Sequence, residues 1–353
     1  MTGSTELLRE RAWLEIDLAN LVANARVVQG AARGARLLPM VKANGYGLGA
    51  VPVAKALEAT DPWGFGVATI DEGAELRAAG IRRPIVVFIP ALPGSESRYL
   101  EWELQAVLDD PVLIQQWTSP YQLEIDTGMG RSGVRWDAPD IGRCRTAHLQ
   151  GAFMHFHSAE DNQASVREQW LRFQQAVGRL GERPGLLFVA NSAAVWRLDA
   201  GLDLVRPGIF LYGCQPMADV PEPKAVASLR SRVVSLRDIG KGESVSYGAE
   251  WKAPRDARIA TVGFGYVDGL HRSAQGKAQV LIGGRRFPIV GRITMDMILA
   301  DVTGSGVTVG DRVTLVGEDG TERITWDDLA EWVGTNTYEM MSRIGTRVER
   351  VYV

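Results

Sequence analysis

From residue 36 to residue 211 the chain alternates short apolar runs with amphipathic helical patterns. Candidate strands lie at 36–42, 64–69, 84–89, 104–109, 121–126, 150–155, 185–190 and 203–211. Apolar residues at helical spacing fill several of the intervals, as in 51–57 and in 71–79, the latter closed by Gly80 as a C-cap. Strands separated by helices pair in parallel, and eight such units close a barrel, so a (β/α)8 barrel is expected over residues 1–226. Near residue 228 the texture changes. β-branched runs at 233–236, 257–262, 280–282, 287–290 and 313–316 are broken by glycine pairs, which predicts a mostly antiparallel β domain over 227–353. Pro221, Glu222, Pro223 and Lys224 form a linker between the two, and the first residues of the chain are candidates for pairing with the β domain. A short helical pattern at 326–332 follows Thr325, a favourable N-cap.

A chain of 353 residues exceeds the usual single-domain size, in keeping with this division. With 39 basic and 42 acidic residues and no block of one sign, no nucleic-acid or membrane partner is expected, and the substrate should be small. No run is long enough to cross a bilayer, and Met1–Glu6 lacks the basic and apolar stretches of a secretory signal, so a cytoplasmic location is the expectation. Cys144 and Cys214 make no C-x-x-C pair and read as buried thiols. His155 and His157 would share one face of a strand, a spacing open to a metal, but no carboxylate or cysteine cluster accompanies them and no metal is expected.

Barrel enzymes place catalytic groups at the carboxyl ends of their strands. By that rule Lys42 ends the first strand, His155 ends the sixth, Asn191 follows the seventh and Arg206 lies in the eighth, four polar groups on one rim. Lys42 opens the glycine-rich segment Val41-Lys42-Ala43-Asn44-Gly45-Tyr46-Gly47-Leu48-Gly49. A lysine at the lip of a buried strand can hold a cofactor aldehyde as a Schiff base. Taken alone, the segment reads more simply as a solvated lysine in a strand-to-helix loop, since glycine-rich loops are common.

This segment resembles the pyridoxal-phosphate (PLP) lysine motif of alanine racemases, and further motifs of that family follow in order. They are Ile125-Asp126-Thr127-Gly128-Met129-Gly130-Arg131-Ser132-Gly133, Met154-His155-Phe156, Ala190-Asn191-Ser192-Ala193-Ala194 and Val205-Arg206-Pro207-Gly208-Ile209. In the second domain come Val245-Ser246-Tyr247-Gly248, Gly265-Tyr266-Val267-Asp268-Gly269, Gly291-Arg292-Ile293-Thr294-Met295-Asp296 and Thr337-Tyr338-Glu339-Met340. The resemblance implies a PLP enzyme of fold type III that interconverts L- and D-alanine and serves cell-wall synthesis. It implies that Lys42 carries the cofactor and acts as one base, and that Tyr247, reaching from the partner subunit of a homodimer, is the base on the opposite face.

A free tyrosine titrates at roughly 10, so Tyr247 needs help to ionise, and the resemblance implies a chain from tyrosine through His155 to Arg206. It also implies that Arg206 faces the pyridine nitrogen. An arginine does not give up its proton, so it would leave that nitrogen unprotonated and the electron sink weak, which disfavours transamination. Tyr46, Ser192, Gly208, Ile209 and Tyr338 are implied for the phosphate, with His155 and Asn191 also lining the cofactor. Arg131 and the Met295 N–H are implied for the substrate carboxylate, and Tyr266 for narrowing the entrance.

Three positions depart from the family pattern. Leu48 stands where a histidine is usual, Thr294 where cysteine is frequent, and Glu124 where many members carry a carbamylated lysine. Alternation in 121–126 puts Glu124 on the side of Asp126, either as a solvated strand residue or with its carboxylate orienting Arg131. A barrel-only PLP-binding protein would lack residues 228–353, and basic amino-acid decarboxylases of this fold carry a cysteine-containing motif that 291–296 does not. Serine or broad-specificity racemases are the remaining alternative; Tyr338 favours alanine by limiting space.

Overall fold

A computed structural model of the protein describes residues 11–198 and 202–353. The chain forms two compact units, one of Ala19–Lys224 and the other of Ala225–Val353 with the leading segment that ends at Leu18. That leading segment contains β1 (Trp13–Ile16).

The unit of residues 19–224 contains β2 (Arg36–Leu37), β3 (Phe65–Val67), β4 (Ile85–Val87), β5 (Gln105–Leu108), β6 (Tyr121–Asp126), β7 (Val134–Arg135), β8 (Leu149–Phe153), β9 (Leu186–Leu187) and β10 (Leu204–Val205). A parallel path runs β3-β4-β5-β6-β8-β9, and β10 pairs with β2 in parallel. Single hydrogen bonds complete the ring. Val41 N–H donates to Gly66 O at 2.8 Å, linking the end of β2 to β3, while Asp203 and Arg206 N–H donate to Leu187 O and Ala190 O at 3.0 and 2.7 Å. Eight strands therefore close on themselves, each matching one of the apolar runs in the sequence. Leu38, Val86, Val107, Phe153, Phe188 and Leu204 form one buried cluster within this unit. Runs such as Ile85-Val86-Val87 are buried on both faces, as parallel strands covered by helices must be.

Several strand ends differ from the sequence expectation. The eighth strand stops at Val205 because Pro207 has no N–H for a ladder, and residues 208–213 wind into turns through Leu211 N to Gly208 O and Tyr212 N to Ile209 O, at 2.9 and 3.1 Å. The sixth ends at Phe153, so His155 and His157 lie beyond it rather than on a strand face. The His157 ring instead meets Ser158 Oγ at 2.8 Å and Ser165 Oγ at 3.2 Å. The short β7 beside β6 was not legible from the sequence.

In the second unit the strands are β11 (Ala227–Ile239), β12 (Ser244–Val245), β13 (Trp251–Lys252), β14 (Ala257–Val262), β15 (Gln279–Ile282), β16 (Arg285–Val290), β17 (Ile298–Asp301), β18 (Arg312–Asp319), β19 (Glu322–Ile324) and β20 (Glu349–Tyr352). Nine strands form one sheet in the order β19-β18-β15-β16-β17-β14-β11-β1-β20, antiparallel except for β1 beside β20. Register shifts near Leu229 and Val233 bend β11 so that it pairs with β1 and β18 along its first part and with β14 along its second. Thr325 caps the helix Trp326–Val333 in a capping box with Asp328. Among the described residues, no helix is long and apolar enough to cross a membrane.

Candidate active site

Lys42 stands where the first barrel strand gives out. The four residues after it, Ala43, Asn44, Gly45 and Tyr46, all have positive φ, at 53°, 53°, 61° and 55°. They form a left-handed turn, which costs an L-residue roughly 1–2 kcal/mol. Local bonds hold it: Gly45 N to Val41 O at 2.9 Å, Gly47 N to Ala43 O at 2.9 Å and Gly49 N to Asn44 O at 2.8 Å. Asn44 Oδ1 accepts the Ala50 N–H at 3.0 Å, and Ala43 N–H donates to Glu72 Oε1 at 2.7 Å. Glu72 has no signal of this kind in the sequence, where it reads only as a first-turn acid of the helix Ile70–Ala78.

Burial lowers the pKa of the Lys42 amine, and the charges of Arg206 and Arg131 lower it further, with Glu72 opposing. The shift is toward the neutral amine, the form that accepts a proton or attacks a carbonyl.

Arg206 is 5% exposed, its guanidinium lying over the rings of Phe88 and Phe153 at 5.3 and 5.2 Å. Its Nη2 donates to Met154 O at 2.8 Å and lies 3.5 Å from His155 Nδ1, while its Nε has no partner among the described residues. Burial pushes Arg206 down to about 10, so it remains a cation at neutral pH. His155 is pushed down to about 3, first by burial and then by Arg206, Arg131 and Lys42. A neutral imidazole facing a guanidinium, which can only donate, accepts at Nδ1 and carries its hydrogen on Nε2.

Glu124 is 5% exposed, so the solvated reading of this residue does not hold. Barrel strands are buried on both faces, and every residue from Tyr121 to Ile125 is buried despite the alternating pattern. Burial raises the pKa of its carboxyl, against the Ser132 hydroxyl and the charges of Arg131 and Arg206. Among the described residues its Oε2 has no partner. Arg131 itself is exposed, on the loop after β6 that Asp126 Oδ1 shapes by accepting the N–H groups of Gly128 and Gly130 at 2.9 and 3.0 Å.

A second group lies beyond β9 and β10. Ser192 is buried, and its Oγ accepts the N–H of Gly208 at 2.9 Å and of Phe210 at 3.4 Å. Beside it, Asn191 Oδ1 accepts the N–H groups of Ala193 and Ala194 at 3.2 and 2.9 Å. Tyr46 stacks on Tyr212 at 4.4 Å, and a Cβ at position 208 would collide with the Tyr46 hydroxyl. Ile209 is buried, and among the described residues none accepts its N–H. With its two acceptor sites taken, the Ser192 hydroxyl still has its own hydrogen to give, and beside the Ile209 N–H it suits an anion. The half-buried Lys42 amine, an Arg206 nitrogen without a partner among the described residues and these donors fit a small anionic carbonyl compound. Among the described residues no three His, Cys, Asp or Glu side chains converge as metal ligands.

Tyr247, Tyr266, Met295 and Tyr338 belong to the second unit. Tyr247 is 71% exposed, on a turn whose preceding residue, Ser246, has φ +65° and donates through Oγ to Arg292 O at 2.7 Å. Tyr266 and Met295 lie on two backbone segments clasped by Tyr266 N to Thr294 O and Val267 N to Met295 O, at 3.0 and 3.2 Å. Gly265 permits the clasp, since a Cβ there would strike the Met295 carbonyl. Tyr338 sits in the helix Thr337–Ser342, capped by Asn336. A cleft of about 710 Å³ beside Tyr266 is lined also by His271, Arg272, Thr335, Glu339 and Arg343.

Residues 16–216 match the family model described as alanine racemase, N-terminal domain, and residues 226–352 the model described as alanine racemase, C-terminal domain. The alanine racemase of Carboxydothermus hydrogenoformans is 36% identical over 97% of this chain and 99% of its own length. Among solved structures, the alanine racemase from E. faecalis superposes with a TM-score of 0.90 at 32% identity, covering 100% of both chains. The alanine racemase from Bartonella henselae, solved with covalently bound pyridoxal phosphate, has a TM-score of 0.89 at 28% identity, over 98% of this chain and 100% of that one.

Proposed function

Since the chain belongs to the alanine racemase family, we propose that it interconverts L-alanine and D-alanine with pyridoxal 5'-phosphate as cofactor, in a homodimer whose sites draw on both subunits. The observation that carries this reading is Lys42: a lysine on a left-handed turn, kept toward its neutral form by burial and two arginines.

Lys42 would hold the cofactor, with the Ser192 hydroxyl, the Ile209 N–H, Gly208, Tyr46 and Tyr338 around its phosphate, His155 and Asn191 lining the site, and Arg206 at its ring nitrogen. Bound there, the cofactor disperses the electron pair left on the substrate Cα. The protein's share is to take a proton from one face of Cα and return one to the other. Lys42 Nζ serves one face. The hydroxyl of Tyr247 of the partner subunit serves the other, with the His155 Nε2–H donating toward its oxygen to favour the phenolate. Arg206, a permanent cation, keeps His155 in that tautomer and offers no proton to the ring nitrogen. Arg131 and the Met295 N–H would hold the substrate carboxylate, and Tyr266 and Tyr338 would leave space for little more than a methyl group. We place the enzyme in the cytoplasm, supplying D-alanine for the cell wall.

The test is an assay of purified protein on L-alanine and L-serine, with and without added PLP, followed by chiral analysis of the product. D-Alanine formation that depends on PLP is the expected result. No D-alanine under any condition would overturn the proposal.

A further inference from the structure

Glu72 occupies the first turn of the helix Ile70–Ala78, and its N–H is capped by the Thr69 hydroxyl at 3.3 Å. Its carboxylate does not serve its own helix. One oxygen accepts the Ala43 N–H at 2.7 Å, and the other accepts the Ala68 N–H, also at 2.7 Å. Both are short for an N–H donor, as charge-assisted bonds are.

The two donors have a definite place in the barrel. Val41 N–H donates to Gly66 O, which with Trp63 N to Leu37 O and Gly66 N to Pro39 O joins the first barrel strand to the second. In a parallel ladder the next rung would come two residues on, from Ala43 N–H to Ala68 O. The left-handed turn at 43–46 prevents it, because the chain has already left the strand. Both N–H groups are left facing the gap, and the Glu72 carboxylate fills it.

On the reading of Lys42 as the cofactor-bearing base, we propose that Glu72 is a positioning residue for Lys42. It replaces the missing rung with a two-sided carboxylate staple and sets a negative charge opposite the lysine amine. The other charged groups acting on that amine are Arg206 and Arg131, both cations, while His155 beside them is neutral. Without Glu72 the turn loses its tie to the neighbouring strand, and the amine loses the charge that offsets the two arginines.

A glutamine keeps the size of Glu72 but has one acceptor oxygen, so it cannot serve both N–H groups, and it carries no charge. An aspartate keeps the charge but is too short to span both. The experiment uses the PLP-loaded protein and two readouts: racemase kinetics, and the pH dependence of borohydride trapping of PLP on Lys42, located by peptide mass. Glu72→Gln is expected to lower kcat about tenfold, the equivalent of one lost charge-assisted bond, with the KM for alanine changed less than about twofold. It should also move the midpoint of trapping to lower pH. Glu72→Asp should lose kcat while keeping the wild-type midpoint.

Wild-type kcat and midpoint in Glu72→Gln would overturn the proposal. Absence of trapping at Lys42 in the wild-type protein would instead remove the cofactor reading beneath it. Should the variants not fold, amide exchange in the wild type decides: protection at both Ala43 and Ala68 is expected, and fast exchange at both refutes the staple.

Discussion

His155 owes its chemistry to being uncharged. Its pKa is about 3 in the folded chain against an ordinary 6.5, the largest cause being burial. Between those values the unfolded chain binds a proton that the folded one does not. Stability tied to this residue is thus complete above pH 6.5 and lost as pH falls toward about 3. Urea titration of the cofactor-free protein should show a decline on the order of a few kcal/mol from neutral pH to about pH 4, and His155→Gln should flatten it. An equally steep decline in the variant would assign it to other groups. Glu124 makes a second case. Its carboxylate meets the Ser132 hydroxyl, so any hold on Arg131 passes through the loop that carries both Arg131 and Ser132. Glu124→Gln is expected to raise the KM for alanine by about 1.5–3 kcal/mol equivalent, with Ser132→Ala acting in the same direction. If neither variant alters KM, the Asp126 turn alone positions Arg131. At this scale the sequence was legible for position: Lys42 and Arg206 stand at the ends of barrel strands, where their order in the chain puts them. It was silent where burial or distant contacts decide, because alternation left Glu124 open between a solvated and a functional reading and the bond of Glu72 to Ala43 spans 29 residues.

Among the elements, all eight barrel strands lie where apolar runs place them, since such a run is needed to be buried on both faces. Their ends were less legible, because the backbone and not the hydrophobic pattern ends them, as Pro207 does for β10. In the second unit, β11 is much longer than the run at 233–236 suggests: its register shifts break the two-residue period by which a strand is recognised. Cap chemistry carried over well. Thr325 does what its type suggests, and Thr325→Ala is expected to cost about 1 kcal/mol in denaturant unfolding of the second unit. No measurable loss would mean that packing of Trp326, whose Nε1 donates to Ala227 O at 3.1 Å, fixes that helix without its cap.

For the molecule as a whole, Lys42 belongs to one unit and Tyr247 to the other. In the proposed homodimer each site takes Lys42 from one subunit and Tyr247 from its partner, a two-fold isologous arrangement. Lys42→Ala and Tyr247→Phe proteins should each be inactive, and mixing them should restore part of the activity, because one of the two sites in a heterodimer has both bases. No recovery after subunit exchange has been verified by mass would count against a shared site.

The position of β1 bears on how the protein is made. A ribosome delivers the chain from its N-terminus, at roughly 5–20 residues per second. The residues of β1 are made before the barrel, yet Trp13 pairs with Arg230 on one side and Glu349 on the other. That strand must therefore stay unpaired while the whole barrel is synthesised, and its second neighbour is made only after the rest of the β sheet. The barrel, whose ladders all lie within residues 19–224, can close meanwhile. β1 is thus made before the barrel and finds its place after it.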